Sequence, residues 1–505
     1  MQNQSSSFFQ GIPLTLQCAM LKKLVSQTAI YGLPTILGRF LNYFLVPLYV
    51  KLFLPEEYGV VSLLYSGVAF FNVLLTFGME TTYFRYASRG VKGVFSTAIN
   101  FVIVLSLLVV FWGWTQAEAI AASPFLNLTG QESYIRWFSL ILALDAISAV
   151  PLARLRQENK PLRFALVRSV NIFSNIGFNL LFLLVLPGSF EAGTFLGNLF
   201  PTEPSISAIF IANLLSSAIT FLLLLPEIRG LNEGINFGLL KDMLKYAWPL
   251  VLIGMSGIIN ETIDRLLLEY FLPSDISKKE QGIYSACYKL SIVMSLFIQA
   301  FRFAAEPFFF AQADTKDRGV YAKVTHYFAL FCFFIFLLVS LYLDLFKHFL
   351  PNEEYWAGLD IVPILLLANL FLGVYFNLSV WYKLTDNTLL GAFIAIGGAV
   401  LTLVLNAMLI PEMSYRGSAW TTLIVYASMT IAAYFMGQRY YPVPYKVRSF
   451  GLYFIFALSL FLISQAIDQS FDTATLYGIR AALLVLFAAV VYLLEKPKKI
   501  LNSQH

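Results

Sequence analysis

Charge is what this chain has least of. Only 12% of its 505 residues are Asp, Glu, Lys or Arg, about half the share of a soluble domain. Cysteine is nearly missing too. Cys18, Cys287 and Cys332 show no CxxC spacing, which argues against a disulfide framework or a thiolate metal site. The histidines His326, His348 and His505 are too few and too scattered for a metal cluster. No G-x-x-x-x-G-K-[S/T] loop occurs, so ATP hydrolysis within this chain is not expected. The longest connections assigned to the outer side, 114–133 and 188–204, lack paired carboxylates and a histidine cluster. A membrane enzyme, such as a polymerase or ligase, would need such a loop to hold acceptor sugar. The expectation is therefore no catalytic residue, no metal and no cofactor.

What is present is apolar. The chain is 58% hydrophobic, with 48 Phe and 27 Tyr and a mean hydropathy of +0.73. Stretches of about 20 apolar residues recur along it, the length a transmembrane helix needs. A membrane barrel would show shorter, alternating segments. The pattern predicts an all-α polytopic membrane protein of about 14 helices. Six lie near 25–50, 58–86, 93–113, 134–153, 163–187 and 205–226. Six more lie near 245–271, 281–305, 322–345, 359–382, 388–410 and 416–437, and two near 449–467 and 474–494. Residues 1–21 carry no basic region of the signal-peptide kind and are expected to be a disordered N-terminal segment. Met20-Leu21-Lys22-Lys23 looks the more natural start.

The connections set the topology. With the N-terminus inside, 24 of the 34 lysines and arginines fall on inner connections, 7 on outer ones, and Arg39, Arg265 and Lys289 within spans. Such a bias places both termini in the cytoplasm. It makes the basic balance a retention signal rather than a nucleic-acid face.

The chain repeats itself. Tyr31-Gly32-Leu33-Pro34 matches Tyr246-Ala247-Trp248-Pro249, Phe53-Leu54-Pro55 matches Phe271-Leu272-Pro273, and Gly59-Val60 matches Gly282-Ile283. Asn179 matches Asn406. Six spans per copy give a parallel repeat about an axis along the membrane normal. The expected organisation is two pseudo-symmetric six-helix lobes, 22–230 and 231–440, with two appended helices and a cytoplasmic tail in 441–505.

Four stretches carry a family likeness. They are Pro55-Glu56-Glu57-Tyr58-Gly59, Gly78-Met79-Glu80 with Phe84-Arg85-Tyr86, Phe301-Arg302-Phe303-Ala304-Ala305-Glu306-Pro307-Phe308, and Asn406 with Ile410-Pro411 and Gly417-Ser418-Ala419. Over about residues 21–440 the chain resembles the polysaccharide biosynthesis proteins, the Wzx-type O-unit or oligosaccharide flippases. These belong to the multidrug/oligosaccharidyl-lipid/polysaccharide exporter (MOP) superfamily. The resemblance implies a bacterial inner-membrane flippase for undecaprenyl-diphosphate-linked oligosaccharide, such as the O-antigen units of lipopolysaccharide. It implies alternating access driven by an ion gradient (H+ or Na+), a lipid-linked substrate, membrane lipid around it, and a polysaccharide polymerase and chain-length regulator as partners. The alternative is a cation-coupled drug or metabolite antiporter of the same superfamily. Antiporters there tend to carry an acid in the first span, where this chain has Arg39.

Charges at membrane depth nominate the site, because each costs at least about 2.5–3.5 kcal/mol unless it faces a cavity or a partner. Arg39, Arg265 and Lys289 are the candidates for a cationic cavity that receives the diphosphate; arginine offers a planar fork, lysine a point charge. Asp145, Asp264 and Glu261 are candidates for ion coupling. Glu80, Arg85, Arg302 and Glu306 are candidate polar residues of an inner gate. Neutralisation within the protein is the bland alternative. Glu261 and Arg265 stand i,i+4 in the favourable order, as do Arg302 and Glu306, and Arg39 has Asp145 as a candidate partner. Pro34 and Pro249 are the expected hinges of spans 1 and 7; close packing by the neighbouring glycines is the competing reading.

Overall fold

Apolar runs in hydrocarbon must satisfy their own backbone, so they fold as helices. A computed structural model describes residues 38, 40–190, 193–194, 202–228, 234–311, 318–385, 387–467 and 472–496. Among them there is no strand. The main helices are α1 Leu45–Leu52, α2 Pro55–Thr76, α3 Met79–Ala87, α4 Val94–Thr115, α5 Glu132–Gln157, α6 Pro161–Leu180, α7 Ser207–Leu224 and α8 Phe237–Phe271. They continue with α9 Ser277–Ala311, α10 Gly319–Leu341, α11 Ile361–Leu378, α12 Thr388–Met413, α13 Tyr415–Tyr440, α14 Val447–Ile467 and α15 Thr473–Glu495.

Twelve segments among the described residues are long and apolar enough to cross a membrane. α8 is not among them. At 35 residues it is ample in length, but Glu261, Asp264 and Arg265 interrupt its apolar run. The segment Phe40–Leu52 is apolar but shorter. Residues 1–21, together with Arg39 and Pro34, lie outside the described residues.

The contacts group the chain into two units. Unit 1 comprises Met1–Leu45, Phe70–Ser123 and Leu128–Val251; unit 2 comprises Val46–Ala69, Pro124–Asn127 and Leu252–His505. The chain passes from one to the other inside α2 and inside α8, in the latter two residues after Pro249. In unit 1, α4 packs on α5, α5 on α7, and α7 on α6. Unit 2 has the same order of neighbours: α10 on α11, α11 on α13, α13 on α12. α14 and α15 pack on α10, and the only buried side chains of α15 are Arg480 and Phe487.

A pseudo-symmetric contact stands out within unit 2, between the N-terminal ends of α2 and α9. A Cβ on Gly59 would lie 2.0 Å from the Lys278 carbonyl oxygen, and one on Gly282 would lie 1.9 Å from that of Pro55. The Ser62 and Ser285 hydroxyls meet at 2.6 Å. Gly59 and Gly282 are matched positions of the repeat, and each meets the backbone of the other's segment, so the close approach is reciprocal. Only glycine lets two backbones come this near.

One backbone break among the described spans falls away from any proline. α8 continues through Pro249, and α5 and α12 contain Pro151 and Pro411. Between α2 and α3, however, Phe77 and Gly78 both take positive φ, 45° and 64°. A left-handed phenylalanine is costly. Here the two residues end α2, and the helix restarts at Met79.

Candidate functional site

Unit 2 brings six of the nominated or neighbouring groups together between α8 and α9. Asp264 and Arg265 are buried, 5% and 7% exposed. Arg265 Nη1 lies 2.7 Å from Asp264 Oδ1 and donates to the Glu261 main-chain carbonyl at 2.6 Å. The guanidinium sits over the rings of Tyr288 at 4.5 Å and Tyr284 at 5.1 Å. The Tyr284 hydroxyl donates to the other Asp264 oxygen. Arg265 therefore takes Asp264, its neighbour in sequence, rather than the Glu261 carboxylate at i−4. The i,i+4 rule describes one helix surface; it does not see the two tyrosines of α9 that wall the guanidinium in.

The charges left at this cluster are Glu261, exposed, and Lys289, half-buried. Both Arg265 and Glu261 act electrostatically on Lys289. Among the described residues no carboxylate pairs with Lys289 at ion-pair distance. In this conformation Arg265 is committed to Asp264, whereas Lys289 has no such commitment.

Unit 1 holds a second collection on α3, α5 and α6. Glu80 pairs with Arg156. Arg85 lies over the Tyr246 ring, 4.1 Å from its centroid, and the Tyr86 hydroxyl donates to the Asp242 carbonyl. Around the α5–α6 turn, Arg154 pairs with Glu158 at 2.6 Å, Lys160 with Glu158 at 2.6 Å, and Arg163 with Glu227 at 2.9 Å. Burial alone would raise the Glu158 carboxyl, but hydrogen bonds from Lys160 and Arg154 outweigh it and hold it below its usual range.

Asp145, half-buried in α5, faces the Ser217 hydroxyl and the charge of Arg168. A polar seam continues beside it between α6 and α7. Asn171 donates to Thr220 Oγ1 at 2.8 Å, Asn179 to Asn175 Oδ1 at 2.8 Å, and Ser217 to Asn213 Oδ1 at 3.4 Å. Gly38, the neighbour of Arg39, approaches Ile172 of α6, one turn from Arg168.

Arg168 is the residue the sequence reading missed. Counted there with the inner connections, it is exposed on the candidate span Pro161–Val185. Glu80, Asp145 and Arg156 all act on it electrostatically, yet no ion pair to it forms among the described residues. Its position seven residues past Pro161 was the available signal: an arginine about two turns into an apolar run.

The third nominated pair lies near the C-terminal end of α9. Arg302 lies over the Phe376 ring at 3.9 Å. The Glu306 side chain lies outside the described residues. No group of three His, Cys, Asp or Glu side chains that could hold a metal occurs among the described residues.

A family model described as "Polysaccharide biosynthesis protein" matches residues 49–355. No curated protein matches the chain. Among solved structures, lipid II flippase MurJ in an inward closed conformation is similar with TM-score 0.66 and 16% identity, covering 92% of this chain and 98% of that one. An inward-facing multidrug resistance MATE family transporter of the MOP superfamily gives TM-score 0.61 at 15% identity, covering 82% and 94%. A MATE in complex with MaD3S gives 0.56 at 15%, covering 82% and 95%. At these identities the likeness is one of fold.

Proposed function

Since the chain belongs to the polysaccharide biosynthesis protein family, we propose that it is a flippase for lipid-linked oligosaccharide. The cargo is an undecaprenyl-diphosphate-linked unit, O-antigen of lipopolysaccharide being the model case, moved across the bacterial inner membrane by alternating access. The family match over residues 49–355 is the observation that carries this reading. The fold shared with lipid II flippase MurJ supports it.

In this reading the lobes 22–230 and 231–440 rock about the repeat axis, with both termini and the tail of 441–505 in the cytoplasm. The diphosphate meets Arg39, Lys289 and, once Asp264 releases it, Arg265. Arg168 is a further candidate cation within unit 1. Asp145, Asp264 and Glu261 bind H+ or Na+, and an acid that takes up a cation frees its arginine for the cargo. Glu80, Arg85, Arg302 and Glu306 close the inner face, with Pro34 and Pro249 as hinges. A polymerase and a chain-length regulator receive the flipped unit.

The MATE likeness favours one other reading, a cation-coupled drug or metabolite antiporter. Proteoliposomes separate the two. With fluorescent undecaprenyl-diphosphate oligosaccharide in the inner leaflet, the flippase reading expects protein-dependent exposure to an external glycosidase, slowed by Asp145→Asn or Asp264→Asn. Absence of exposure, together with gradient-driven efflux of a cationic dye, would establish the antiporter reading instead.

A further inference from the structure

Unit 2 contains an apolar cavity of about 260 Å³ among α10, α11, α13 and the start of α14, remote in sequence from the charged cluster on α8 and α9. Ala329, Phe371, Val374 and Phe450 line its interior. Its rim is open: Ile431, Phe435 and Val447 are 55%, 67% and 48% exposed. An apolar lining of this extent favours an apolar guest over water.

The cavity has one polar end, formed by Lys446 and His326. Both reach Glu495 at the end of α15: His326 Nε2 at 2.8 Å and Lys446 Nζ at 3.2 Å, with the Tyr453 hydroxyl at 3.1 Å. Three partners thus hold the Glu495 carboxylate. A lysine ammonium has three donors, and Lys446, 54% exposed, spends one on Glu495. Lys323 and Arg448 are exposed at the same end of the helices. The pattern is an apolar slot with free cationic donors where the helices stop.

We propose that this slot is a phospholipid site: one acyl chain of an anionic phospholipid fills the cavity while its phosphate sits at Lys446. Leu378 ends α11 and Val447 begins α14 at this cavity, so a head group held at Lys446 stays at the level of the helix ends, as in a leaflet. Exposed basic residues at that level attract anionic head groups. The lipid would mortar α14 to the bundle. The site does not depend on the transported cargo, and its loss leaves the flippase reading standing.

Native mass spectrometry of the purified full-length protein tests this, titrating phosphatidylglycerol against phosphatidylcholine. Wild type should retain one phosphatidylglycerol in preference to phosphatidylcholine. Ala329→Phe fills the slot; excluding a pair of methylenes should cut occupancy roughly tenfold. Lys446→Gln, a surface change that leaves the cavity intact, should erase the preference for phosphatidylglycerol while a lipid is still retained. The proposal is overturned if wild type shows no such preference, or if Lys446→Gln keeps it. It is equally overturned if equimolar undecaprenyl phosphate displaces phosphatidylglycerol, which would make the slot a polyprenyl site.

Discussion

At the scale of single residues, the Asp264–Arg265 pair is the most consequential commitment in unit 2. Removing one partner of a buried ion pair leaves an uncompensated charge, at a cost of about 3–5 kcal/mol. Asp264→Ala should therefore lower the thermal midpoint of the detergent-solubilised protein sharply, and Asp264→Leu with Arg265→Met should restore most of it. Equal loss in the single and double variants would mean that the pair contributes no more than packing. Lys289 and Arg168 belong to the opposite class. Without an ion pair among the described residues, each should be replaceable by Ala with little change in melting, while glycan export falls. Export unchanged in both variants would remove them from the cargo path. The intramembrane charges were visible in sequence because each interrupts an apolar run. Their partners were not. Asp264 wins Arg265 from Glu261 because Tyr284 and Tyr288 arrive from another helix, and no spacing within α8 announces them.

At the scale of elements, the helices were legible wherever apolar runs end in charge or turn residues. The breaks were less so. Proline spacing nominated Pro249 as a hinge, and α8 is continuous through it in this one conformation; the interruption at Phe77 and Gly78 in the second span was not foreseen. A left-handed phenylalanine has no compositional signature. The repeat did announce Gly59 and Gly282, and their reciprocal approach gives the match a physical reason. Ser62→Cys with Ser285→Cys should crosslink readily, since the native hydroxyls are 2.6 Å apart. If the ends of α2 and α9 part during transport, the crosslink should arrest export and dithiothreitol should restore it. Undiminished export by the crosslinked protein would show that the contact never opens. α15 has its own anchor in Arg480, 2.8 Å from Asp344. Burial would raise the Asp344 carboxyl, but hydrogen bonds from Tyr477 and Arg480 and the charge of Arg480 hold it below its usual range. A depressed folded-state value stabilises above about pH 4 and is lost as pH falls through it. Between pH 5 and pH 3 the wild-type melting point should fall further than that of Asp344→Asn. Parallel decline in both would leave the anchor without a pH-dependent role.

At the scale of the whole molecule, this is a membrane protein of the polysaccharide biosynthesis family with the fold seen in lipid II flippase MurJ and in MATE transporters. Its dearth of charge made the membrane class readable at once, and the matched pairs made the repeat readable. Cargo was not readable in the same way, because a fold hosts many cargoes and the cations that would hold a diphosphate are spread over helices distant in sequence. The most direct measurement is the sidedness of lipid-linked glycan in cells depleted of this protein, read with an outer-face glycosidase. Undecaprenyl-linked oligosaccharide should accumulate on the inner leaflet, protected from the enzyme until the protein is restored. Glycan equally accessible with and without the protein would contradict the flippase assignment.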